Sequence, residues 1–160
     1  MSGSQMPKER DTAPAESNKP TVAHMLGEIV WVLAQSPTHK HFSLADLEWL
    51  VVPPLMLEQY RVFRDAKNAP IGVALWAYLD EAAEASLEAG NAKLRPDQWK
   101  SGDRLWLVEL VAAQALENNF LHARMLTDLT QGTLRGAGTI YYHTIDPSSR
   151  ARIKKSISNA

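Results

Sequence analysis

Leu26, Ile29, Val30 and Leu33 recur at i, i+3, i+4 and i+7, the spacing of one apolar helix face. The pattern predicts a helix from an N-cap at Thr21 to about Ala34. Gln35-Ser36-Pro37 stops it, because the residue before a proline disfavours the α region. Ser43, with Asp46 three residues on, caps a second helix to about Leu50, which Pro53-Pro54 ends or bends. From Gln59 the period changes. Residues 60–64 and 71–77 read as strands, joined across 65–70 as a hairpin. Asp80 opens a surface helix to about Glu88, closed by Gly90. Residues 104–112, RLWLVELVA, are apolar on both faces, as a central strand should be, and Glu109 breaks the run. A helix capped at Asn118 or Asn119 runs to about Leu129, with Gly132 at its end. Residues 139–145 and 151–157 form a last hairpin. These elements predict one α/β (α+β) domain over residues 21–160, with helices around a mostly antiparallel mixed sheet. Residues 1–20, rich in Pro, Ser, Ala and alternating charge, predict a disordered tail.

Composition narrows the class. Of 160 residues, 45% are hydrophobic and 22% charged, the balance of an ordinary globular chain with enough length for a real core. No run reaches the roughly 18 apolar residues of a membrane span, and the first 20 residues lack the apolar core of a secretory signal. The absence of cysteine excludes thiol catalysis and disulfides and permits a reducing cytoplasm. Charge is unevenly spread: residues 1–90 carry 7 Lys/Arg against 12 Asp/Glu, and residues 91–160 carry 10 against 6. A basic C-terminal half suits an acidic partner, or is simply a solvated face.

Ser36, His39 and His41 sit just past the first helix, at the mouth of a packed element. That is a place for a proton-transfer residue and equally for a capping turn. No GxSxG elbow accompanies Ser36. His39-Lys40-His41 lacks a clear third ligand, so no metal site is expected. Glu109 is the stronger oddity, since a carboxylate in an apolar strand is costly unless paired or hydrogen-bonded. Buried titratable groups cluster at functional sites, although structural ion pairs produce them too. Trp31, Trp49, Trp76, Trp99 and Trp106 suit a core more than a ligand box. Arg150, Arg152, Lys154 and Lys155 read as the polar face of an end strand. Neither a phosphate-cradling glycine loop nor a nucleic-acid motif is present.

Several stretches together carry a resemblance: Leu26-Gly27-Glu28-Ile29-Val30-Trp31, Ser36-Pro37-Thr38-His39, Pro53 with Gln59-Tyr60, then Pro70 and Trp76-Ala77. Trp99-Lys100-Ser101-Gly102-Asp103-Arg104-Leu105-Trp106 and Ile145-Asp146-Pro147 continue it. In this order the chain resembles the RTX toxin-activating lysine acyltransferases, the hemolysin-activating type, over about residues 25–155. The resemblance implies a GNAT-like N-acyltransferase fold. The implied reaction moves a fatty acyl chain from acyl-acyl carrier protein, a phosphopantetheine thioester, to an internal lysine ε-amine of an RTX protoxin. No cofactor is held permanently. The family's catalytic histidine falls on His39 and its serine on Ser36. Its aspartate falls on Glu109, one methylene longer, and Leu50 stands where asparagine is common near the site. Arg104, Trp106 and Trp76, in the matching stretches, are the substrate-binding candidates. A homodimer is also implied; the sequence itself leads us to expect the cytoplasm, no nucleic acid and no integral membrane segment.

Chemistry fits the implied roles. Lysine, with a reference pKa of about 10.4, is a poor nucleophile until a base takes its proton. His39 is placed to accept it, and Glu109 to fix the imidazole's tautomer. Segment 112–117 lacks the glycine-rich pyrophosphate loop of ordinary acetyltransferases, which a carrier-protein donor does not need. Lys100, Arg104 and the C-terminal basic residues are candidates to meet an acidic carrier protein. Two alternatives stand beside this: an acyltransferase-fold protein that binds without turnover, and an N-acyltransferase using acyl-coenzyme A on another substrate.

Overall fold

Thr21 caps the first helix by accepting from the backbone N–H of His24 at 3.1 Å, and α1 runs Val22–Ala34. Its buried face is Met25, Ile29, Val32 and Leu33, rotated slightly from the expected stripe, so that Leu26 and Val30 are only half-buried. The two stripes overlap at Ile29 and Leu33, and packing against the sheet selects between them. The computed structural model describes residues 19–91, 93–113 and 119–159. Most of the tail read at 1–20, the possible cap at Asn118, and residues 114–117 of the glycine-free segment lie outside them.

After α1 a 3₁₀ turn, Leu44–Asp46, leads into two short helices, α2 Leu47–Leu50 and α3 Val52–Met56. Pro53 and Pro54 do not end the helical region. They sit in the first turn of α3, where their missing N–H groups would have had no helical partner. Five strands follow: β1 Tyr60–Arg64, β2 Pro70–Leu79, β3 Arg104–Ala112, β4 Gly138–Ile145 and β5 Arg152–Asn159. Helix α4, Glu81–Glu88, lies between β2 and β3, and α5, Asn119–Gln131, between β3 and β4. Spatial order equals chain order. All neighbours are antiparallel except β3 and β4, which run parallel.

The sheet carries a core on each face. Helix α1, with Leu50, Leu55, Leu87 and Trp99, covers one face, where Val73, Leu75 and Trp106 point. Met125 and Leu129 of α5 cover the other, against Ala74, Trp76, Leu105 and Leu107. A methyl group on Gly72 would stand 2.8 Å from the Met125 side chain, so the missing Cβ is what lets α5 lie close to β2. Arg64 of β1 holds α1 from the side through a bidentate pair with Glu28. Its hydrogen bond and charge keep the Glu28 carboxyl below the usual carboxylate range.

The stretch 99–104, prominent in the resemblance, is architectural. Tyr78 of β2 donates its N–H to the Trp99 carbonyl at 2.9 Å, and the Tyr78 carbonyl accepts from Ser101 and Gly102 at 2.8 and 3.0 Å. The buried Gln59 side chain donates to the carbonyls of Trp76 and Trp99 at 3.0 and 2.9 Å, fastening the same turn to the sheet. A Cβ on Gly102 would fall 2.4 Å from the Leu79 carbonyl oxygen, a collision with backbone that no rotamer relieves. Gly102→Ala is therefore expected to cost about 2 kcal/mol or more, lowering the melting temperature by roughly 4–8 °C for a chain of this size. An unchanged thermal melt contradicts the close packing of this turn.

Candidate active site

Two pieces of chain, joined to different parts of the sheet, build the site. The first is the turn that ends α1. The Ser36 N–H reaches back to the Leu33 carbonyl at 3.0 Å, and the Ser36 carbonyl accepts from the N–H groups of His39 and Lys40 at 3.1 and 2.9 Å. This closes a tight loop around Pro37 and turns the His39 imidazole inwards, with Phe42 edge-on at 5.4 Å between ring centroids. Ser36 is buried although polar, so its hydroxyl needs a partner. It finds His39 Nδ1 at 2.7 Å, with Thr38 Oγ1 2.9 Å from the same nitrogen.

The second piece is a bulge in β3. Opposite β2 the register runs Leu75 to Glu109 and then Trp76 to Leu107, so Val108 is an extra residue with no opposite number on β2. Its effect on side-chain direction is visible in the packing. Trp106 and Val108 face the α1 core, and Leu105 and Leu107 the α5 core. Beyond the bulge the parity is reversed, with Val111 and Ala113 on the α1 side and Leu110 and Ala112 on the α5 side. Strict alternation would have sent Glu109 to the α5 face. The bulge keeps it on the α1 face, because one inserted residue exchanges the two faces of everything that follows.

There Glu109 Oε2 meets His39 Nε2 at 3.0 Å. The carboxylate side chain is 27% exposed and the imidazole 11%, so the pair is sheltered yet reachable. An ionised carboxylate only accepts, which puts the proton on Nε2 and leaves Nδ1 as the acceptor. The resulting chain is hydroxyl, imidazole, carboxylate. Two hydroxyls compete for the single Nδ1 lone pair, and Ser36 Oγ and Thr38 Oγ1 are 3.2 Å apart, so one donates to nitrogen while the other can donate to the first.

Two cavities adjoin the pair. One, of about 220 Å³, is lined by Ser36, Thr38, His39 and the end of β3. The other, of about 520 Å³, lies where β3 and β4 part: the parallel register consists of Trp106 with Tyr141 and Leu107 with Tyr142. Beyond that point Val108, Glu109 and Leu110 face His143, Thr144 and Ile145 across an opening. His122 of α5 lines both cavities. A larger one, about 640 Å³, lies apart between β1 and α5 beside the Arg61–Asp128 pair.

Ser36, His39 and Glu109 are thus brought together, His39 and Glu109 across 70 positions of chain. The other three sequence candidates are set apart. Arg104 lies at the opposite end of β3, 3.6 Å from Glu84. Trp106 is fully buried, with its indole N–H donated to Glu84 at 2.8 Å, and Trp76 is buried in the α5 core. None of the three lines either cavity beside the pair. Leu50 is also a core residue. Thr38, His122 and His143 were not singled out from sequence. The adjacent hydroxyl in Ser-Pro-Thr-His could have drawn attention to Thr38, but only helix packing and the parting of the strands reveal the other two.

Comparison with known proteins agrees with this architecture. A GNAT-like decarboxylase, GphF, solved in complex with isobutyryl-CoA, superposes with a TM-score of 0.53 at 17% identity, covering 81% of this chain and 65% of that one. The fold is therefore GNAT-like. Residues 18–157 match the model of the RTX toxin acyltransferase family (HlyC), and the chain belongs to that family. It is 34% identical over 89 residues to the RTX-II toxin-activating lysine-acyltransferase ApxIIC of Actinobacillus pleuropneumoniae, covering 56% of this chain and 55% of that protein. To the lysine-acyltransferase RtxC of Vibrio cholerae it is 28% identical over 101 residues, 62% and 65% of the two chains. To the protein-lysine palmitoyltransferase CyaC of Bordetella bronchiseptica it is 28% identical over 116 residues, 72% and 62%. The matched stretches span between about half and just under two thirds of these relatives' length.

The shared lone pair on Nδ1 has a measurable consequence. Ser36→Ala and Thr38→Val are each expected to cost about 1 kcal/mol or less, because the remaining hydroxyl still serves the imidazole. The double variant leaves Nδ1 unserved and should exceed the sum by about 0.5 kcal/mol or more in urea unfolding. Strict additivity contradicts the shared acceptor.

Proposed function

We propose that this protein is a lysine acyltransferase acting on an RTX-type protoxin, with acyl-acyl carrier protein as the donor. The observation that carries the reading is the Ser36–His39–Glu109 chain of hydrogen bonds at the mouth of the parted strands, in a member of this family. Relatives that are lysine-acyltransferases and a protein-lysine palmitoyltransferase support protein lysine as the substrate class.

The phosphopantetheine arm lies in the opening between β3 and β4, with its thioester beside the bulge. The target lysine enters through the smaller cavity beside Ser36 and Thr38 and displaces a hydroxyl from Nδ1. His39 takes a proton from the ammonium, and Glu109 stabilises the imidazolium that forms. The freed amine attacks the thioester carbon. As the C–N bond forms and the C–S bond breaks, the amine gives up its second proton, the thiolate leaves as a thiol, and one proton is released overall. Backbone N–H groups of β3 past Leu107, where its pairing with β4 ends, are the proposed oxyanion donors. Glu109, longer than the aspartate of the family pattern, reaches the imidazole from a strand the bulge has turned towards it.

Co-expression with an RTX protoxin of Gly/Asp-repeat type, followed by the intact mass of its lysine peptides, tests the reading. A fatty-acyl mass on lysine is expected, with acyl-carrier protein as the competent donor in vitro. Turnover with acyl-coenzyme A alone assigns the donor otherwise, and binding without any mass change contradicts an enzyme. His39→Ala should abolish transfer in a folded protein. Glu109→Gln should lower the rate about 10²-fold or more, while Glu109→Asp retains a large part of it. Full activity of His39→Ala contradicts the assigned base. From membership of the family we also propose a homodimer in the cytoplasm; β1 and β5, each with one sheet neighbour among the described strands, leave edges for a second copy. Light scattering should report the mass of two chains; a monomer at working concentration contradicts the dimer.

A further inference from the structure

His143 stands at a singular place in the sheet. The parallel pairing of β3 with β4 ends at Leu107 with Tyr142, and His143 is the next residue of β4, opposite the bulge at Val108. It lines the same 520 Å³ opening as Glu109. Its ring packs at a tilt of 42° against that of the fully buried Trp106, with centroids 4.9 Å apart, which fixes it on the face that Glu109 and α1 share.

Arg152 of β5 approaches His143 Nδ1 at 2.9 Å. A guanidinium can only donate, so Nδ1 is the acceptor and the neutral ring carries its proton on Nε2. Nε2 has no hydrogen-bond partner among the described residues, and the His143 side chain lines the opening that Glu109 also lines. Burial first, then the Arg152 charge, hold the imidazole below the ordinary histidine range; Lys154 adds to this and Glu88 of α4 opposes it. Glu109 of β3 and His122 of α5 also face the opening. The ring is thus a neutral donor at Nε2, its tautomer set by Arg152, in the lining of the gap where a thioester would lie.

We propose that His143 is a further catalytic residue, donating its Nε2–H to the acyl carbonyl oxygen as negative charge develops there. This rests on the acyl-transfer reading above. A neutral donor on β4 stabilises the oxyanion without placing a proton-hungry base beside the thioester. Arg152 is then a positioning residue, acting through the tautomer it imposes.

His143→Phe keeps a ring on Trp106 and removes the donor, while His143→Gln keeps an N–H of similar reach. The Phe variant, folded by circular dichroism, is expected to lose about 10²-fold in kcat with KM for acyl-carrier protein little changed, and the Gln variant to recover at least about tenfold of that loss. Equal rates for the two variants, or a Phe variant as fast as the unaltered protein, overturn the role. Imidazole ¹⁵N shifts give a readout independent of turnover. They should report the Nε2–H tautomer at pH 7 and a shift of Nε2 when a non-hydrolysable acyl-pantetheine ketone is added. An Nδ1–H tautomer, a charged ring, or an Nε2 signal unmoved by saturating ketone overturns the inference. Failure of the unaltered protein to acylate lysine contradicts the proposed function itself, and these ¹⁵N results then decide His143's donor role separately.

Discussion

The hydrogen bond between His39 Nε2 and Glu109 Oε2 is the contact on which the site depends. It ties a turn at the end of the first helix to the middle of the central strand, and each partner answers a problem the other would have alone. Glu109 sits in a strand whose neighbours are apolar, where an unpaired carboxylate is expensive to keep. His39 has two ring nitrogens to satisfy, and the carboxylate decides which one carries the proton. Once that is settled, the basic nitrogen can only be the one facing Ser36 and Thr38. The local structure of the α1 turn and the chemistry of the pair are one arrangement.

That contact exists because of an irregularity. A regular β3 would direct Glu109 towards α5, away from the turn that holds His39. The inserted Val108 reverses the parity of the strand and re-aims the carboxylate. The same locality ends the pairing with β4, so the bulge that orients the acid lies at the apex of the opening in which we propose the acyl donor lies. Architecture elsewhere serves to hold this point still: Arg64 braces α1 against β1, Gly72 lets α5 approach, and the Trp99–Gly102 turn locks the end of β2.

Much of the fold was legible in the chain. Helix α1 has a regular period and a proline stop, β3 is apolar on both faces, and Asp80 with Gly90 brackets α4. These features are local, so short-range patterns report them. The apolar character of β3 hid the bulge, because a strand buried on both sides shows no alternation whose reversal could be noticed. Glu109 was conspicuous as an acid among apolar residues, but its direction was not. Trp106 and Arg104 looked available because their stretch matched a family pattern; the geometry shows both engaged with Glu84, part of what fixes α4 on the sheet. His122 and His143 carry no local signal, since each reaches the opening only through helix placement or strand parting.

The most direct measurement of the central contact is the ¹⁵N spectrum of the His39 imidazole in the unliganded protein, at a pH where the ring is neutral. With Glu109 on Nε2, the geometry predicts a protonated Nε2 and an unprotonated Nδ1, and Glu109→Ala should release that preference. A proton on Nδ1, or a tautomer balance indifferent to Glu109→Ala, would contradict the arrangement from which the chemistry of this site is derived.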